Sequence, residues 1–86
     1  MPAVTLDQWQ TLIAVVDKGG YAAAAEVLNK SQSTVSYAIQ KLESSLNIRA
    51  FSIDGRRAIL TPAGKTLYQR AKVLLEEANQ LETQAQ

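Results

Sequence analysis

Apolar residues recur near the start of the chain at Leu6, Trp9, Leu12, Ile13 and Val16, the spacing of one stripe along a helix. Thr5 followed three residues later by Gln8 has the form of a capping box, so a helix is predicted over about 6–18. Gly19-Gly20 ends it, because glycine relaxes into the left-handed conformation that helix ends often adopt. Trp9 on such a stripe reads as a core residue rather than a stacking platform for bases. Tyr21 to Leu28, YAAAAEVL, reads as a short helix whose small residues let another helix pack closely. Asn29-Lys30 then forms a turn. Ser31 caps a new helix running to about Ser45, and Asn47 supplies a left-handed cap near its end.

That third helix divides cleanly on a helical wheel. Val35, Ile39, Leu42 and Leu46 share a narrow arc with Ala38 beside it, and this arc is the predicted buried face. Ser33, Tyr37, Gln40 and Ser44 lie opposite, flanked by Thr34, Ser36 and Lys41. The outward face thus offers hydroxyls, an amide, a phenol and an ammonium, and no acid. Such groups exchange hydrogen bonds with base edges without repelling phosphate, which suits a helix lying in the major groove. An ordinary solvated face remains the alternative, since a helix-turn-helix pattern is not specific alone.

Residues 49–60, RAFSIDGRRAIL, carry the hairpin signal Asp54-Gly55 between Arg49–Ile53 and Arg56–Leu60. A two-stranded ribbon with arginines at its tip makes a wing, and such tips track the backbone or reach the minor groove. A hairpin this small must pack on the helices, and Phe51 and Leu60 are the residues expected to hold it. Arg56 and Arg57 read as DNA contacts, with edge-strand protection against aggregation as the alternative. Thr61-Pro62 opens a last helix, threonine as N-cap and proline first in the helix. Leu67, Ala71, Leu74, Ala78, Leu81 and Ala85 then form an unbroken heptad seam. Tyr68 and Leu75 form a second apolar row, available to pack on the core. A helix of about 24 residues is roughly 36 Å long, more than a small domain covers, so its far half is expected to pair with another chain.

Composition narrows the classes. Eighty-six residues, 47% of them hydrophobic, make one small folded domain. Cysteine and histidine are both absent, which removes disulfides, thiolate sites and the commonest general base and metal ligand. No metal site, cofactor or catalytic residue is expected, and an enzyme is the weakest reading. MPAVTLDQWQ is not a secretory signal, and no apolar run approaches the roughly 20 residues a membrane helix needs. A cytoplasmic protein with no membrane partner is expected. The net charge of +1 hides a division: residues 1–29 carry −2, residues 30–72 carry +6, and residues 73–86 carry −3. A basic middle is the footprint of a surface that neutralises phosphates.

The stretch GGYAAAAEVLNKSQSTVSYAIQKLESSLNIRAFSIDGRRAILTPAG closely resembles the N-terminal domain of LysR-type transcriptional regulators. The matching elements are the Ala-Ala before Leu28, the series Ser31-Gln32, Ser36, Ile39 and Leu42-Glu43, then Phe51, Arg56 and the ending Leu60-Thr61-Pro-Ala-Gly64. With its flanking helices the resemblance covers nearly the whole chain. It implies a mainly α winged helix-turn-helix over residues 1–61, with a three-helix core and a two-stranded wing. A linker helix over 62–86 would dimerise antiparallel with its partner. It also implies double-stranded DNA as the ligand, a dimer that can become a tetramer in the full-length protein, and a larger C-terminal domain that takes a small-molecule effector. The chain stops at the linker helix, as expected of a truncated form rather than an unusually short protein.

Carried over by position, Gln32, Ser33, Thr34, Ser36 and Tyr37 become DNA contacts and Arg56 the wing contact. With the wheel and the wing, the candidate set is Ser31, Gln32, Ser33, Thr34, Ser36, Tyr37, Gln40, Lys41, Arg56 and Arg57, and the candidate dimer seam is Leu67, Ala71, Leu74, Ala78 and Leu81. Three positions depart from the family pattern. Tyr37 and Ile53 stand where arginine is common, and Asn47 where glycine is common. The first alters base readout, the second removes a wing charge, and the third is mild because asparagine tolerates the left-handed region. Two other readings compete: the DNA-binding domain of a molybdate-responsive regulator, and a dimeric protein-interaction module built on the heptad helix. The basic middle discriminates against the second, which has no need of it.

Overall fold

A computed structural model describes residues 3–55 and 57–85. The chain forms α1 (Leu6–Lys18), α2 (Tyr21–Leu28), α3 (Gln32–Leu46), β1 (Phe51–Asp54), β2 (Arg57–Leu60) and α4 (Pro62–Ala85). The Thr5–Gln8 capping box is complete: Thr5 Oγ1 accepts the Gln8 N–H at 3.1 Å, and Gln8 Oε1 accepts the Thr5 N–H at 2.9 Å. Gly19 closes α1 at φ 85°, and Asn29 and Asn47 close α2 and α3 at φ 57° and 54°. All three caps are left-handed, the conformation that glycine and asparagine enter at least cost.

The core cluster joins Val4, Leu12, Val15, Ala24, Ala25, Val35, Ile39, Leu42, Ala50 and Phe51. Burying each large aliphatic member contributes about 1.5–3 kcal/mol. The helical stripes are displaced at two places from the spacing-based expectation. Leu6 is exposed, and Val4 and Trp9 instead occupy the paired positions on either side of the cap that staple a helix start. Thr11 and Val15 join the core because α1 packs against α2, α3 and α4, so its buried arc is wide. Thr11 is a buried polar residue whose hydroxyl donates to the Asp7 carbonyl at 2.9 Å, which removes the cost of burying it. Leu46, expected inside, is exposed, because Asn47 turns the chain away there and the core cluster ends at Leu42 and Ala50. Trp9 is half-buried and packs on the core.

The wing is shorter than its pattern suggested. Its strands pair antiparallel from Phe51 opposite Leu60 to Asp54 opposite Arg57, so the turn lies one residue beyond Asp54-Gly55. Gly55 takes it at φ 65°. Arg49 and Ala50 do not join the ladder because other elements claim their backbone. Ala50 N–H donates to Glu43 Oε2 at 2.7 Å, and the Ala50 carbonyl accepts the Thr61 N–H at 3.0 Å. Thr61 Oγ1 accepts the Gly64 N–H at 3.0 Å, which caps α4, and donates to the Arg49 carbonyl at 2.5 Å. Gly64 is where α4 meets this corner: a Cβ there would lie 2.2 Å from the Ala50 oxygen.

The near half of α4 belongs to the core. Ala71 is 4% exposed and Leu67 packs against the core cluster, so the start of the heptad seam faces the chain's own helices. Tyr68, expected to pack inward with Leu75, sits at the rim instead. Its hydroxyl donates to Asp17, and the Lys72 ammonium stands 5.2 Å from its ring centroid. Beyond Ala71 the helix runs past the domain, giving a molecule 45 Å long and 19 Å thick.

Candidate nucleic-acid interface

The sequence-predicted contacts gather at the start of α3. Ser31 is its N-cap, and its Oγ accepts the Thr34 N–H at 3.1 Å. The same oxygen lies 2.7 Å from Thr34 Oγ1 and 3.2 Å from Ser33 Oγ. Three hydroxyls therefore form one network over the first turn, where the helix dipole and free N–H groups favour an anion. Ser31 is thereby committed largely to the helix, whereas Gln32, Ser33, Thr34, Tyr37, Gln40 and Lys41 are all exposed. Ser36 is half-buried, beside the inward Val35 and Ile39. The face carries no acid, as its wheel indicated.

Two of the basic residues counted in the middle of the chain are tied to acids. Lys30 Nζ holds both carboxylate oxygens of Asp7 at 3.1 Å, joining the turn after α2 to α1. Arg49 Nε lies 3.7 Å from Glu43 Oε2. The lysine at 41 and the arginine at 57 stay exposed on the elements carrying the other candidates. Arg56, expected as the wing contact, lies outside the described residues. Ile53 is 65% exposed on the wing face that also carries Phe51. It lines, with Arg57, Tyr21 and Gln32, an open cleft between the wing and the starts of α2 and α3.

Glu43 is a positioning residue that sequence reasoning left without a role. Its carboxylate, 15% exposed, accepts the N–H groups of Ala50 and Phe51 at 2.7 and 3.3 Å and so fixes the root of the wing to α3. The signals were its place in the Leu42-Glu43 pair of the family resemblance and an acid next to the buried Leu42, three residues inside a helix end. Tyr21 braces the wing from the other side, its ring 6.0 Å from that of Phe51 at 60°. Burial pushes the Tyr21 phenol up from its ordinary value, and the nearby Glu43 charge pushes it further. On α4 the seam residues differ in exposure: Leu67 is half-buried and Ala71 buried, Ala78 is half-buried, and Leu74 and Leu81 are 41% and 68% exposed. No helix among the described residues is long and apolar enough to cross a membrane.

Residues 6–65 match the family of bacterial regulatory helix-turn-helix proteins, lysR family. Over 84 residues the chain is 39% identical to the HTH-type transcriptional regulator YhaJ of Escherichia coli O157:H7, covering 98% of this chain and 28% of YhaJ. The chain thus spans well under a third of the length of that curated relative. Among solved structures, the CbnR DBD–DNA complex superposes with a TM-score of 0.90 at 30% identity, over 95% of this chain and 94% of that one. The BenM DBD/catB site 1 DNA complex gives a TM-score of 0.92, also at 30% identity, over 95% of this chain and 92% of that one. YhaJ is named as a transcriptional regulator and CbnR as a LysR family transcriptional regulator. The chain belongs to the LysR family of bacterial regulatory helix-turn-helix proteins, and its fold is that family's winged helix-turn-helix DNA-binding domain.

Proposed function

We propose that the chain recognises an inverted-repeat operator as a homodimer, each protomer laying α3 in the major groove and its wing against the adjacent minor groove. The acid-free outward face of α3 carries this reading. Gln32, Ser33, Thr34, Tyr37, Gln40 and Lys41 stand exposed together there, with no acid among them. Lys41 and Arg57 neutralise phosphates, Gln32 and Ser33 exchange hydrogen bonds with base edges, and Ser31 holds the first turn in place. The partner protomer docks along the far half of α4, where Leu74 and Leu81 are uncovered. The DNA bound by the CbnR and BenM domains supports the ligand class. Such a regulator works in the bacterial cytoplasm, and effector sensing belongs to a further domain of the family's longer members.

The experiment is selection from a random duplex pool, with binding of the winning site repeated across salt concentrations. Enrichment of an inverted repeat, with affinity falling steeply as salt rises, is expected. Absence of both would refute the proposal and leave α4 as the main functional surface.

A further inference from the structure

Among the described residues, no hydrogen bond or aromatic contact holds Tyr37. Its side chain is 62% exposed, and among the described residues its hydroxyl has no hydrogen-bond partner. The other tyrosines are both engaged: Tyr21 packs against Phe51, and Tyr68 donates to Asp17. An aromatic ring stabilises a fold through the surface it buries, and Tyr37 buries little. It lies about 7.5 Å along the helix axis from Gln32, on the outward row with Ser33 and Gln40. Around it are hydroxyls, an amide and the Lys41 ammonium, so the ring is an isolated apolar patch in the middle of a polar face.

We propose that Tyr37 is a specificity-determining residue that reads a thymine, packing its ring on the C5 methyl group in the major groove. This rests on the placement of α3 proposed above. Thymine alone among the four bases presents a methyl group to that groove, whereas guanine presents two acceptors, N7 and O6. A phenol has one donor and cannot satisfy both acceptors as an arginine fork does. It leaves one of them desolvated against its ring, and that loss is what rejects G·C. Against a methyl group, the ring removes apolar surface from water on both partners. The base pair facing residue 37 is therefore A·T with its thymine toward the ring.

Replacing each thymine of the selected operator in turn by uracil removes one methyl group and nothing else. Wild-type protein should lose about fourfold in affinity at one thymine per half-site, the worth of one methyl burial. Tyr37→Ala should bind the thymine and uracil duplexes equally, and Tyr37→Phe should keep the fourfold difference. Tyr37→Arg should shift the base selected at that position to guanine. The exposed position makes these variants fold as the wild type does, which circular dichroism checks. Uracil tolerated at every thymine by wild-type protein that binds tightly would overturn this proposal alone. A fourfold difference surviving in Tyr37→Ala would overturn it too, as would uniform weakening by Tyr37→Phe, which places the hydroxyl on a phosphate. Failure of the wild type to bind any duplex would refute the DNA-binding reading beneath it.

Discussion

Gly64→Ala should destabilise the domain, although helix propensity alone predicts the opposite. Gly64 lies in the first turn of α4, and alanine is favoured over glycine inside a helix by about 1 kcal/mol. The added Cβ, however, would stand 2.2 Å from the Ala50 oxygen, 2.9 Å from Leu60 Cδ2 and 3.0 Å from the Ala50 carbonyl carbon. The leucine methyl can swing away. The carbonyl cannot, because the two peptide units that meet at Ala50 are held at three points. Its oxygen accepts the Thr61 N–H at 3.0 Å, the preceding carbonyl accepts the Thr61 hydroxyl at 2.5 Å, and the Ala50 N–H is fixed on Glu43 at 2.7 Å.

Making room requires shifting that oxygen by about 1 Å, enough to break the Thr61 N–H bond in a part-buried corner. Overpacking costs roughly 1–3 kcal/mol and an unsatisfied buried group roughly 1–3 kcal/mol. After the propensity gain is subtracted, the net loss is about 3 kcal/mol, a large share of the stability of so small a domain. Urea unfolding followed by far-UV circular dichroism, at fixed protein concentration, measures it. Gly20→Ala is the control: its backbone is extended and nothing lies within 4 Å of the new Cβ, so its effect should stay within about 0.5 kcal/mol. A Gly64→Ala variant as stable as wild type, or more so, would show that the corner yields and the reasoning is wrong.

Glu43→Ala leaves the N–H groups of Ala50 and Phe51 without their acceptor and should cost about 2–3 kcal/mol by the same urea assay; Glu43→Gln keeps an acceptor oxygen and should cost less. Both Tyr21 and Tyr68 are held neutral in the fold, the first chiefly by burial and the second chiefly by its hydrogen bond to Asp17. A raised folded-state pKa adds stability that is fully present below the unfolded value of 10.0 and is lost as pH rises through the folded one. Stability should therefore fall above about pH 10, and the double variant Tyr21→Phe, Tyr68→Phe should flatten that fall; an unchanged slope would assign it to other groups. Leu74→Lys with Leu81→Lys should give a monomer in sedimentation equilibrium while leaving helix content intact, and a surviving dimer would place the partner elsewhere on the chain.

The helices were legible because their signals are local. Thr5 with Gln8, Gly19, Ser31 and Asn47 each act within a few residues, and each cap is found at its expected place, while Asn29, read as a turn, also closes α2. The inward face of α3 was legible through Ile39 and its neighbours for the same reason. Tertiary contacts were not. Whether Leu67 faces the chain's own core or a partner depends on where α1 lies, and both readings satisfy the heptad spacing. Leu6 and Leu46 continue their stripes in sequence, but the stripes outrun the elements that cover them. Lys30 and Arg49 counted fully toward the basic middle, and only the fold shows that Asp7 and Glu43 lie beside them. Glu43 and Gly64 had no legible role, since the group each one meets, the backbone around Ala50, lies seven and fourteen residues away in the sequence.

That corner has a consequence for recognition. Three parts of the chain meet at Ala50: Glu43 from α3, the root of β1, and the Thr61 and Gly64 of α4. No flexible linker separates α3 from α4, because one residue, Ala50, fastens both helices, the first through its N–H and the second through its carbonyl. The near half of α4 is also locked on α1 through Ala71 and through the Tyr68–Asp17 hydrogen bond. In the proposed dimer, α4 carries the partner, so the angle between α4 and α3 sets the distance between the two recognition helices. Half-sites separated by a helical turn of DNA, roughly 34–36 Å, demand that this distance be fixed. An alanine at Gly64 would loosen the spacing as well as the fold, whereas a change at Tyr37, under the proposed readout, would alter which base is read and leave the spacing alone. In the proposed dimer, operator spacing and operator sequence would thus be set by different residues, the first buried at the corner of the domain and the second exposed on its outer helix.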